Sequence, residues 1–457
     1  MTLPSSTTIR GPSLRALALV TLGVAAGALS ARPAAAQRRD SVPAGVSLGL
    51  NYDPRTKPGV IVLPIAGANG DSLRAIFERD FDYGDRIAVV RVDAPAPVNG
   101  KPNYPLLARL GAAVAVQATV TPTGVRVALH DVAKRAVAQT RTFALTDVAL
   151  APAWRMAVHS AADDLEFAIT GTRGIAATRI AFTREGRIYV VDSDGANARP
   201  ITPEGALSLS PAWHPTGKYV AYSGFGRGGG TQVFIRDLAG TSARPVVATP
   251  GGLNITPAFS PDGNTVVYAH GLDAGTDLIA ASAFDNAPGR RVTVGRGSEN
   301  VSPSFSPDGR RLVFTSGRSG HPEVYITDAD GTNAELLTPF VFGETSYRSN
   351  PDWSPTGSSV AFQAQIAGRF QIATISLRDR EIKQLTSEGS NEDPSWAPDG
   401  RHLVFTSTRG GTRHLWVHDV ETGRARQLTR GAVSRLPAWS RSLAVSPNVT
   451  SQQASAP

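Results

Sequence analysis

A proline, one small or acidic residue and an aromatic recur six times in the second half of this 457-residue chain. The copies are Pro211-Ala212-Trp213, Pro257-Ala258-Phe259, Pro303-Ser304-Phe305, Pro351-Asp352-Trp353, Pro394-Ser395-Trp396 and Pro437-Ala438-Trp439. Successive prolines stand 43 to 48 residues apart. A period of this size, holding several short strands per unit, is the signature of β-propeller blades. Five copies run into a turn such as Ser260-Pro261-Asp262-Gly263 or Ser306-Pro307-Asp308-Gly309. There the serine bonds back, the proline presets φ and the glycine takes positive φ. Strands rich in β-branched and aromatic residues follow, such as Arg311–Phe314 and Val324–Ile326.

The ends of the repeat predict how the ring closes. Ile180–Phe182, Ile188–Val190 and Arg199–Ile201 are three strands with no Pro-x-aromatic strand before them. Leu436–Ser440 is such a strand with nothing after it. One plus three makes a blade, so the C-terminal strand completes a sixth blade begun near Arg179. Closure removes the free edges that would otherwise pair with other chains. The expected fold is therefore mainly β: a six-bladed β-propeller over residues 179–443, preceded by a small α/β domain over residues 45–175.

That first domain reads as a buried strand at Gly59–Pro64, a helix at Asp71–Phe81 capped by Asp71 or Ser72, and a strand at Ile87–Val92. A short helix at Tyr104–Leu110, a hairpin about Pro122-Thr123-Gly124 and a long helix from Leu150 to Ile169 follow. The long helix puts Trp154, Val158, Ala161, Leu165 and Ile169 on one face. Residues 1–36 read as a secretory signal peptide. Arg10 and Arg15 precede the apolar run Ala16–Leu29, and Ala34-Ala35-Ala36 offers a cleavage site. Residues 444–457 read as a disordered polar tail. The mature protein is thus expected to be exported, monomeric and without a membrane span.

Composition narrows the chemistry. The chain has no cysteine, which excludes disulfides, thiolate metal sites, cysteine nucleophiles and lipid-modified cysteine. Its net charge of +8 is scattered and does not mark a nucleic-acid surface. Gly45-Val46-Ser47-Leu48-Gly49 matches a nucleophile-elbow pattern but precedes every core strand. Gly224-Phe225-Gly226-Arg227-Gly228-Gly229 matches a dinucleotide pattern but lies between two strands. Asp192–Asn197 and Asp328–Asn333 begin like calcium loops yet lack the remaining ligands, so they read as turns. His414 and His418 are four apart on a strand, which is not the helical spacing of a ligand pair. No catalytic, cofactor or metal residues are assigned.

The residues just before each Pro-x-aromatic strand are expected to rim one mouth of the central channel. Asn254, Thr256, Glu299, Asn300, Tyr347, Arg348, Asn350, Asn391, Glu392 and Arg435 form this candidate binding rim. Polar, amide-rich rims suit hydrogen-bonded capture of a protein loop.

The order of signal peptide, α/β domain, long helix and six blades resembles the TolB family, the periplasmic propellers of the Tol–Pal envelope system. Three segments carry the resemblance most directly: Lys57–Pro64, the run from Trp154 and Arg155 through His159 to Thr178–Ala181, and Leu436–Ser440. The resemblance implies a non-enzymatic periplasmic adaptor. Its propeller rim would bind Pal, the peptidoglycan-associated lipoprotein. Its mature N-terminal segment would bind TolA of the inner membrane, through residues matching Val46, Leu48, Leu50 and Asn51. Such an adaptor would serve outer-membrane integrity and cell division. The alternative is an exported propeller enzyme or carbohydrate binder.

Overall fold

The computed structural model describes residues 57–91, 100–145, 148–225, 229–246, 252–272, 275–285, 287–295, 298–339 and 346–441. The signal peptide, the segment with Val46, Leu48, Leu50 and Asn51, and the tail from 444 lie outside the described residues.

The first domain is one five-stranded sheet with helices on both faces. Its elements are β1 (Gly59–Val62), α1 (Gly70–Tyr83), β2 (Ala88–Val89), α2 (Tyr104–Arg109), β3 (Val114–Thr121), β4 (Gly124–Asp131), β5 (Ala136–Ala144) and α3 (Pro152–Thr170). The strand order is β2-β1-β3-β4-β5, with β1 parallel to both neighbours and the rest antiparallel. Alternation along the strands sends Val60, Val62, Val114, Val116, Val125 and Val127 to one face. There they pack on Leu73, Phe77 and Phe81 of α1 and on Trp154, Val158, Ala161 and Leu165 of α3. Ile61, Leu63 and Ala115 face the other way, against Leu107 of α2.

Three local expectations are corrected. α1 starts at Gly70 after Asn69 (φ 61°), and no side chain caps it; Asp71 lies inside the first turn, where its charge suits the helix N-terminus. The second strand spans Ala88–Val89 only, the length that pairs with β1. β5 was not anticipated, because Ala-Val-Ala-Gln-Thr-Arg-Thr-Phe-Ala has weak alternation and forms a half-exposed edge. α3 ends at Gly171, whose φ of 77° lets its N–H return to Phe167 O.

The propeller is six four-stranded antiparallel sheets. Numbered by their innermost strands, blades one to five begin at Ser208–Trp213, Asn254–Phe259, Asn300–Phe305, Arg348–Trp353 and Asn391–Trp396. Blade six joins Ser434–Trp439 to Arg179–Arg184, Arg187–Asp192 and Arg199–Pro200, with Ser434 opposite Arg184 and Trp439 opposite Ile180. The ring therefore closes as the sequence indicated. The repeated aromatic is a wedge between blades. Trp396 packs among Ala361 and Ile372 of blade four and Leu403 and Phe405 of blade five. Its indole N–H reaches Asp352 O at 3.2 Å. In the Ser-Pro-Asp-Gly turns Gly263 takes φ 78° and donates its N–H to Ser260 O at 2.9 Å. No helix among the described residues is long and apolar enough to cross a membrane.

Candidate protein-binding face

Each innermost strand carries one extra residue relative to its neighbour. The bulge falls at the proline, which has no N–H to give to the ladder. The residue before it takes a left-handed conformation in every blade: Ser210, Thr256, Ser302, Asn350, Asp393 and Leu436, with φ between 50° and 57°. For non-glycine residues such backbone costs about 1–3 kcal/mol each. It turns these six side chains into the central channel, a cavity of about 300 Å³ walled by the prolines that follow them.

The channel wall is hydrogen-bonded from blade to blade. Ser302 Oγ donates to Asn350 Oδ1 at 3.0 Å, and Asn350 Nδ2 donates to Asp393 Oδ1 at 2.7 Å. Ser304 Oγ and Trp396 N both donate to Asp352, at 2.9 and 2.8 Å. Burial pushes the Asp393 carboxyl up to about 6, with Glu392 adding to it and Asn350 and Thr406 opposing. Asp352 is raised by burial as well.

The structure divides the sequence-derived rim. Thr256 and Asn350 line the channel. Glu299, Tyr347 and Arg435 are exposed at the mouth, Tyr347 edge-on to Phe370 at 5.3 Å. Arg348 is held by Glu323 Oε2 (3.3 Å) and Pro339 O (3.0 Å). Glu392 accepts from Arg413 at 3.4 Å. Asn254, Asn300 and Asn391 are corrected: all three are buried between their own blade and the preceding one. Asn300, at 0% exposure, donates to Thr276 O (2.9 Å) and accepts from Ser316 Oγ (2.8 Å) and Arg318 (3.1 Å). Asn391 donates to Gln371 Oε1 (2.8 Å), and Asn254 to Thr231 O (2.7 Å). Each ties its innermost strand to the third strand of the preceding blade. The bulge is the cause: it shifts the strand's alternation, so only the residue beside the proline reaches the channel.

The position of Glu299 and Tyr347 forms the surface of that mouth. Four residues before the motif's proline stand Leu207, Leu253, Tyr347 and Val433, each 39% to 47% exposed, with exposed Glu299 and half-buried Ser390 at the same offset in blades three and five. Ser208 pairs with Gly224 and Arg348 with Ala364, so the ends of the second strands, with exposed Phe225 and Ile366, share the same face. The result is an apolar collar round a polar channel. Solvent-exposed apolar patches with polar surroundings mark protein-interaction sites. A fixed offset from the repeated proline was the available sequence signal.

The α/β domain sits at the other end of the blades. Arg86 meets Asp399, in the turn after the blade-five innermost strand, at 3.0 Å. Arg401 reaches Asp85 O at 3.1 Å, and Arg424 reaches Asp82 at 2.8 Å. Arg426 lies 4.0 Å over the Tyr83 ring. Among the described residues the first domain contacts the end of the blades opposite the collar.

Two groups of histidine and aspartate line that seam. In one, His402 and Asp85 approach Asp419; in the other, His159 approaches Asp192 and Asp194. Their carboxylates already face guanidinium groups: Asp419 takes two bonds from Arg401 (2.8 and 2.6 Å), and Asp194 faces Arg79 and Arg155 (2.5 and 2.6 Å). Arg179 holds Asp192 at 3.1 Å. This charge balance suits ion pairing rather than a divalent cation. Asp192–Asn197 and Asp328–Asn333 are turns of one design, in which Asn197 and Asn333 each donate to the first aspartate at 2.6 Å.

A closed ring of six blades with a smaller α/β domain at one end defines a two-domain β-propeller protein. The model of the TolB beta propeller domain matches residues 167–443, and the chain belongs to that family. The TolB protein of the Tol-Pal system from Xanthomonas oryzae pv. oryzae is 39% identical over 129 residues, 26% of this chain and 28% of the relative. That of Jannaschia sp. is 34% identical over 108 residues, 22% and 24% of the two chains. The chain thus spans only about a quarter of the length of the curated relatives it matches. The crystal structure of TolB from Acinetobacter baumannii superposes with a TM-score of 0.73 at 22% identity, over 85% of this chain and 98% of that one. It shares the fold of both domains.

Proposed function

We propose that this chain is a periplasmic adaptor of a Tol–Pal-type envelope system, not an enzyme. The collar face holds a peptidoglycan-associated lipoprotein of the Pal kind. The N-terminal segment with Val46, Leu48, Leu50 and Asn51, outside the described residues, engages a TolA-like inner-membrane protein. Linking the two would couple the outer membrane to the inner one during division. The observation that carries this reading is the collar itself: Leu207, Leu253, Tyr347 and Val433 exposed together, away from the α/β domain. Exposed apolar anchors around a polar centre fit a partner loop that buries its tip.

The test is affinity capture from envelope extract with the tagged mature chain, identified by mass spectrometry. Recovery of a lipoprotein with a peptidoglycan-binding domain supports the reading. Recovery of none, with hydrolysis of envelope glycans or peptides by the purified chain, favours an exported enzyme.

A further inference from the structure

Glu166 is a buried carboxyl in the seam between the two domains. It lies on α3 and is 2% exposed, and no hydrogen-bond donor reaches its Oε1. The nearest cation, Arg86 Nη1, stands 4.0 Å away and sits closer to Asp399, at 3.0 Å. Two glycines pack against the carboxyls of α3. A Cβ on Gly84 would come within 2.5 Å of Glu166 Oε2, and one on Gly174 within 2.4 Å of Asp163 Oδ1 and 2.7 Å of Glu166 Oε2. The end of α1 and the linker into the propeller are thus pressed onto these groups.

The neighbours make a negative charge there costly. Asp163 is one helical turn back, and its oxygens accept the linker N–H groups of Ala176 (2.8 Å) and Ala177 (2.9 Å). Asp80 of α1 and Arg173 of the linker face Asp163. Arg86 from the α/β domain and Asp399 and His402 of blade five face Glu166. The two cations that face Glu166 are already engaged: Arg86 by Asp399, and His402 by Asp399 at 2.8 Å and Asp85 at 3.4 Å. A buried carboxylate without its own partner is strongly disfavoured against the neutral acid.

We propose that Glu166 is a proton-operated clasp, neutral while the α/β domain is seated on blades five and six and forcing the seam apart when its proton leaves to solvent. Burial, then the charge of Asp163, pushes Glu166 up to about 8, and burial pushes Asp163 up to about 7. The seam therefore changes charge across a pH range that an exported protein meets. Because the collar lies at the far end of the same blades, the clasp controls domain seating and leaves the collar intact.

The chain has no cysteine, so one introduced at exposed Ala108 and one at exposed Ala239 can carry a donor and an acceptor dye in the full mature protein. Energy transfer is expected to be highest at about pH 5, to fall as pH rises toward about 8, and to change no further above it. Glu166→Gln keeps the neutral shape and is expected to hold transfer flat to about pH 9. A flat wild-type profile, or an equal step in the variant, overturns the proposal. If the variant misfolds, infrared spectra of the wild type decide. Loss of a protonated-carboxyl band over the same pH interval as the fall in transfer supports the clasp, and a band unchanged throughout overturns it.

Discussion

Trp439 donates its indole N–H to Thr178 Oγ1 at 2.8 Å across 261 residues of chain. This contact fastens the last strand of the propeller to the residue that introduces its first. Ser440 Oγ accepts from Arg179 N at 2.9 Å beside it. Trp439 also fills the space between blades five and six, among Val404, Leu415, Ile180 and Phe182. Trp439→Ala removes a wedge and a hydrogen bond together. A loss of about 3–5 kcal/mol is expected in denaturant unfolding of the propeller. Thr178→Val, which removes the hydroxyl but keeps the shape, is expected to cost about 1 kcal/mol. An unchanged midpoint for Trp439→Ala would show that the ring does not depend on this closure.

Asn300 separates a structural role from a binding one. Its amide ties Thr276 O of blade two to Ser316 and Arg318 of blade three. Asn300→Ala leaves those groups without their partner and is expected to lower stability by about 1–3 kcal/mol. Partner affinity, read by titration calorimetry on the folded fraction, is expected to stay within about twofold.

The same residue shows what could be read from sequence. The Pro-x-aromatic period fixes blade number and closure, because each blade must bury the same wedge. The long helix was legible from the spacing of Trp154, Val158, Ala161, Leu165 and Ile169, all of which are buried. Asn254, Asn300 and Asn391 were misplaced because a bulge at the following proline breaks the two-residue alternation, and bulges leave no local composition signal beyond that proline. The strand β5 escaped notice because an edge strand need not alternate. The seam escaped notice because its partners, such as Asp85 and His402, are 317 residues apart.

Arg401 anchors that seam. Its guanidinium binds Asp419 twice and Asp85 O once, nearly out of solvent. Arg401→Met strands the Asp419 charge, and a loss of roughly 3–5 kcal/mol is expected in thermal or urea unfolding. Arg401→Met with Asp419→Leu removes both charges and is expected to recover most of it. No recovery in the double variant would show that packing, not charge, holds the contact.

The pH dependence of stability follows from groups shifted in opposite directions. Burial opposes the charge of Asp399, but His402 and Arg86 more than offset it and hold the carboxyl well below its ordinary range. Arg401 and Thr422 do the same for Asp419. Their contribution is present above about pH 4 and lost on acidification below it. Asp163 and Glu166 are raised, to about 7 and about 8, so their effect favours folding at low pH and is lost as pH rises through those values. His159 and His402 are raised by Asp80 and Asp399 against burial, and they too lose stabilisation on alkalinisation. The melting temperature is expected to peak between about pH 5 and about pH 6 and to be a few degrees lower at about pH 8.5. A maximum above about pH 8 in calorimetric scans would contradict these assignments.

The adaptor reading is tested most directly at the collar. Leu253→Asp, Tyr347→Asp and Val433→Asp together place charge on three of its exposed apolar positions, none of which belongs to the buried core. The soluble domain of the lipoprotein captured from envelope extract is titrated into the wild type and this triple variant, with melting curves recorded for both. The expected result is binding by the wild type and at least a hundredfold weaker binding, about 3 kcal/mol, by a variant that melts as the wild type does. Equal affinity of the two would place the partner elsewhere and contradict the collar as the binding face.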